Sequence, residues 1–125
     1  MSHLNIDMMD EVWLHVDWVG CLHPGWEPLI GWDKIRRSWK DIFQNTSQMQ
    51  IYPGEVSIHI DEQFAWVTCL ETISTLVGGQ VSIGFAQATN IFKREGEEWK
   101  MVHHHASSLP RAMPLSGTGA VPSLN

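Results

Sequence analysis

The sequence predicts an α+β fold in which a curved antiparallel sheet wraps around short helices. The C-terminal third alternates apolar and polar residues on both sides of Glu95-Gly96, the pattern of a hairpin closed by a tight turn. Two earlier runs, set off by Asp61-Glu62-Gln63 and Gly78-Gly79, extend that hairpin into a meander. Ahead of the meander, two segments repeat apolar residues at helical spacing.

Asn5 is placed to cap a short helix that presents Ile6, Met9, Trp13 and Val16 as one stripe. Trp18–Leu22 is a short apolar run suited to a strand, and the breaker-rich His23-Pro24-Gly25-Trp26-Glu27-Pro28 follows as a rigid loop. Trp32, Ile35, Trp39, Ile42 and Phe43 fit one face of a second helix, with Asp33 favourable near its N-terminus. Val56, Ile58 and Ile60 alternate with Ser57 and His59 in a strand that leads into Phe64–Leu76. Val81–Arg94 and Glu98–Ser107 complete the meander, and strands this long must curl to bury an apolar face against the helices. There is no internal repeat. Residues 108–125, rich in Pro, Gly and Ser and without period, are expected to form an extended or disordered tail.

Strict alternation turns Trp99, Met101, His103 and His105 inward and Lys100, Val102, His104 and Ala106 outward. On the neighbouring strand Ala86, Ala88, Asn90 and Phe92 turn inward, so Asn90 is expected to meet His103 and His105. Glu71 is the one charged residue among the inward Val67, Cys69, Glu71 and Ile73. A buried carboxylate needs a partner, and Asn90, His103 and His105 are the natural ones. The competing reading is a polar network that fixes strand register and binds nothing.

With 125 residues the chain fits one domain with a modest core that would gain from a partner subunit. A formal net charge of −6 and only eight Lys and Arg argue against nucleic acid or an anionic membrane surface as partner. Lys34, Arg36, Arg37 and Lys40 read as a solvated helix face. No apolar run is long enough to span a bilayer and the start lacks signal-peptide build, so a cytoplasmic protein is expected. Cys21 and Cys69 show no disulfide or metal spacing and read as small buried thiols. His103-His104-His105 is a poor metal set, because neighbouring strand residues point to opposite faces. No cofactor is implied.

The order of helix, short strand, His-Pro-Gly loop, Gly31-led helix and meander ending in Gly96-x-x-Trp99-x-x-Val102-His103-x-His105-x-Ser107 resembles the nuclear transport factor 2-like superfamily, closest in flavour to its SnoaL-like members. The resemblance covers residues 5–107 and implies a cone-shaped fold, a homodimer through the outer sheet face, and a cavity for a small hydrophobic molecule. Ketosteroid isomerases and polyketide cyclases of this superfamily perform isomerase, cyclase or lyase chemistry there; other members are binding or assembly domains. Most of the long first helix typical of the family is missing ahead of Asn5. Where the isomerases carry a catalytic Asp-Pro, this chain has His23-Pro24, and imidazole suits the same acid–base work. The resemblance thus points to His23 and Glu71 as catalytic. It points to Trp18, Trp26, Trp39, Cys69, Asn90, His103 and His105 as ligand-binding. The alternative function is a noncatalytic ligand-binding or homo-oligomeric assembly domain.

Overall fold

A computed structural model describes residues 4–110. The expected tail from Ser108 onward falls largely on residues 111–125, outside the described residues, although Ser108 and Leu109 themselves pair with Ala86 and Phe85 as sheet. Helix α1 spans Ile6–Val12, and Asn5 caps it by accepting from the Met8 backbone N–H at 3.0 Å. Trp13 leaves the helix in extended conformation rather than continuing it. That turn delivers its indole to the core, where it is 2% exposed. Strands β1 (Gly20–Leu22) and β2 (Leu29–Ile30) flank the loop that starts at His23. Helix α2 spans Trp32–Gln44 and buries Trp32, Ile35, Ser38 and Trp39. Arg36 clasps Asp10 with two hydrogen bonds, 2.7 and 3.2 Å, and so ties α2 to α1.

Strands β3 (Gln48–Ile60), β4 (Phe64–Val77), β5 (Gln80–Glu95) and β6 (Glu98–Leu109) form the meander. The six strands make one sheet in the order β2-β1-β6-β5-β4-β3, antiparallel except where β1 runs parallel to β6. It is curved and unclosed. Strand β3 begins eight residues earlier than the alternation of Val56–Ile60 suggests, because Pro53 and Gly54 interrupt the pattern without ending the pairing. A bulge lies between Gly54 and Ser57, with Glu55 at φ 48°.

The main core gathers Trp13, Val19, Cys21, Trp32, Ile35, Trp39 and Val102 where α1 and α2 meet β1 and β6. A second cluster of small side chains, Cys69, Ala86, Ala88 and Ala106, lies further along the concave face. Beyond the helices the strands run bare: Ile58 and Ile60 on the concave side are 61% and 62% exposed.

One expectation about the sheet is corrected. The β5–β6 register jumps between Ile91, opposite His103, and Phe92, opposite Met101, so Val102 is an extra residue. The bulge reverses the alternation after Met101. Val102, His104 and Ala106 turn inward and are buried, whereas His103 and His105 share the outer face with Ile91 and Thr89.

Candidate active site on the concave face

His104 stands opposite Asn90, and its Nδ1 lies 2.5 Å from Asn90 Oδ1. Since the amide oxygen only accepts, the imidazole proton sits on Nδ1 and donates to it. His104 is 8% exposed, and burial, followed by the charges of His23, His103 and His105, lowers its pKa to about 4.

The parallel β1–β6 register sets Cys21 opposite His104 and brings the following loop to the same wall. His23, 3% exposed, packs edge-on against Trp26 and Trp39, with ring centroids 4.9 and 4.7 Å away, and its centroid is 6.3 Å from that of His104. Ser38 Oγ donates to the Ile35 carbonyl at 2.7 Å, so at 2.9 Å it receives the Nε2–H of His23. The Cys21 thiol lies 3.6 Å from His23 Nε2 and 3.9 Å from Nδ1, against the ring as a whole and not at one nitrogen. Burial holds the His23 pKa down to about 4. Burial likewise pushes the Cys21 thiol up to about 12, which leaves it inert as a nucleophile.

Glu71 lies on the same concave face, opposite Ala86. It is 8% exposed and has no hydrogen-bond partner among the described residues; burial raises its pKa. The expected meeting with Asn90 does not occur. Asn90 is opposite Val67, four residues along β4 from Glu71, a separation of roughly 13 Å. Cys69, Ala86, Ala88 and Ala106 fill the interval, and burial, then the Glu71 charge, raises the Cys69 pKa. His103 and His105 face the other side of the sheet and reach neither group. Trp26 is 43% exposed at the rim and Trp18, at 52%, lies in solvent, whereas Trp39 is buried beside His104.

Ser38, Cys21 and His104 complete the site although the sequence pattern did not single them out. Ser38 was signalled weakly, as the polar residue inside the apolar stripe of α2. Two surface recesses lie elsewhere. One of about 290 Å³ is lined by Asp33, Arg36, Arg37 and Lys40 on α2, the other of about 80 Å³ by Gln48, Ser74 and Val81 among others. Neither is lined by His23, Glu71 or His104. Among the described residues no three His, Cys, Asp or Glu are grouped to hold a metal ion, and no helix is long and apolar enough to cross a membrane.

A curved six-stranded sheet with two helices is the cone-shaped α+β fold of nuclear transport factor 2-like proteins. The chain matches the SnoaL-like domain over residues 1–112 and belongs to that family. A dehydratase candidate of the nuclear transport factor 2-like family from Streptomyces avermitilis has a similar structure. It is 29% identical with a TM-score of 0.77, covering 86% of this chain and 84% of that one. A candidate calcium/calmodulin-dependent protein kinase type II association domain from Thiobacillus denitrificans is 27% identical with a TM-score of 0.69, covering 84% and 82%. The F-box protein SKIP8 of Arabidopsis thaliana is 30% identical over 102 residues, which are 82% of this chain but only 42% of that protein.

Proposed function

We propose that this domain takes a small, largely apolar molecule against the concave face of its sheet and moves a proton on it through Glu71. The observation that carries the reading is the arrangement of that face. Glu71, buried and without a hydrogen-bond partner among the described residues, stands at one end, and the His104–Asn90 pair at the other. Between them lies a floor of Cys69, Ala86, Ala88 and Ala106, small side chains that suit a ring system, with Trp26 and Trp39 as flat walls. Burial raises the pKa of the Glu71 carboxyl and makes its carboxylate a stronger base than an exposed one, as proton transfer in isomerase- or lyase-type chemistry requires. The dehydratase candidate among the similar structures would need such a transfer.

His23 supports the site in another way. Its Nε2–H is committed to Ser38 and its ring packs edge-on against Trp26 and Trp39, so it holds them in place as a positioning residue. Native mass spectrometry of the protein from its source, followed by turnover assays on any retained molecule, tests the reading. Glu71→Gln is expected to keep the molecule and lose roughly 100-fold or more in kcat. Full activity in that variant would remove Glu71 from the chemistry, and failure to bind any small molecule would remove the reading altogether.

A second observation favours a homodimer through the outer sheet face. Tyr52, Trp66, Val81 and Ile83 share that face and are 42%, 41%, 68% and 54% exposed, large apolar side chains that a second copy would cover. Sedimentation equilibrium is expected to give a dimer that Ile83→Lys dissociates.

A further inference from the structure

The outer face of the sheet is free of formal charge over most of its length. From the row His103–Ile91–Trp66–His59 at one end to Val81 and Leu76 at the other, the register brings no Asp, Glu, Lys or Arg to that side among the described residues, the bulge at Glu55 aside. Strands β1 and β2 continue it with Gly20, Leu22 and Ile30. Two copies of a chain with net charge −6 repel, and this face lets them meet without opposing like charges.

His103 and His105 are neighbours on that face, with ring centroids 6.5 Å apart. A Cβ on Gly20 would come 3.0 Å from His103 Nδ1, so that ring lies against β1 and is partly buried. Facing the pair are Gly20 and Leu22 on β1 and Ile91 and Thr89 on β5, none of which titrates. His104, between them, turns to the concave side and stays neutral around pH 7. In the next row Lys100 and Lys93 are paired with Glu98 and Glu95. His59, across the sheet, lies 3.4 Å from Asp61, which balances its charge once it is protonated. Among the described residues neither His103 nor His105 has such a carboxylate beside it.

We propose that acid opens the outer-face homodimer, because protonation of His103 and His105 puts charge into a contact that holds nothing to balance it. This rests on the homodimer reading above and adds its control. In a two-fold contact each patch meets the same patch of the other copy, so four imidazoles rather than two must stay neutral. Burial, then the charge of His105, already lowers the His103 pKa in the single chain, and cover from a second copy acts in the same direction. Association is therefore complete above about 6.5 and lost below it, by up to roughly tenfold per pH unit for each histidine held neutral.

Sedimentation equilibrium of the full chain at pH 7.5 and 5.5, with near-ultraviolet circular dichroism to follow the fold, tests the control. The expected result is a folded dimer whose Kd rises roughly 100-fold or more between the two. His103→Gln combined with His105→Gln should keep the dimer at both, since glutamine stays neutral. Equal Kd at both pH values in the unmodified chain overturns the control and leaves the homodimer standing. A double variant that dissociates as steeply as the unmodified chain does the same. A monomer at pH 7.5 defeats the homodimer and its control together. Should the double variant not fold, or acid unfold the chain first, an NMR titration of the unmodified chain decides. The rings of His103 and His105 are expected to protonate at lower pH in concentrated than in dilute protein, and values independent of concentration overturn the control.

Discussion

Asn90 faces His104 across the β5–β6 ladder, and its side-chain oxygen fixes the imidazole proton on Nδ1. A neutral histidine of defined tautomer on the concave face follows from that one pair. Asn90→Leu would strand a buried N–H and is expected to cost about 1–3 kcal/mol, read as a lower denaturant midpoint with unchanged slope. Asn90→Asp would set a carboxylate against the same N–H and raise the pKa of His104, visible as an upward shift of its ring resonances in an NMR titration.

Acid should loosen the fold well before the bulk of its carboxylates protonate. An unfolded histidine takes up its proton near 6.5, whereas burial keeps folded His23 and His104 neutral down to about 4. Between those values the unfolded chain binds more protons, so the contribution is complete above 6.5 and is lost as the pH falls toward 4. The loss is on the order of 3 kcal/mol for each ring. Thermal melts across that window should show a steady fall in Tm; a flat profile would contradict the neutral, buried state of both rings.

Glu71 works in the opposite sense. Its folded pKa is raised by burial, so above the ordinary carboxylate value of 4.5 the unfolded chain ionises more readily and the folded state loses stability with rising pH. Glu71→Gln should therefore raise Tm at neutral pH by on the order of a few degrees and change little in acid. A stabilised variant that has lost turnover is the pattern of a residue kept for function.

Gly31 leads α2 at φ 99° and ψ 141°, a conformation that side-chain-bearing residues scarcely adopt. A Cβ there would sit 3.6 Å from the Asp17 carbonyl, an ordinary contact, so the penalty of Gly31→Ala is in the backbone. Equilibrium unfolding should show a loss of about 1–3 kcal/mol.

Strand and helix identities were legible in the sequence because turn residues and apolar periods agree: Asn5 caps α1, Gly31 opens α2, and Gly78-Gly79 and Glu95-Gly96 close the hairpins. The face of each histidine was not legible. One extra residue, Val102, reverses the alternation, and the sole trace of it in sequence is the adjacent apolar pair Met101-Val102. Glu71 was placed correctly on the concave face, but its expected partners were assigned by type, and the register sets Asn90 four residues away along the neighbouring strand. Ser38 was hidden because a hydroxyl within a helix stripe gains meaning only once His23 arrives from a distant loop.

Strand β3 ends the sheet, and its outer border is interrupted where it would otherwise offer a template to a stranger. Pro53 has no N–H to give, the bulge between Gly54 and Ser57 twists the border, and Glu55 sets a charge at the kink. Even with Ile58 and Ile60 in water, the chain is guarded against growing sideways into fibrils.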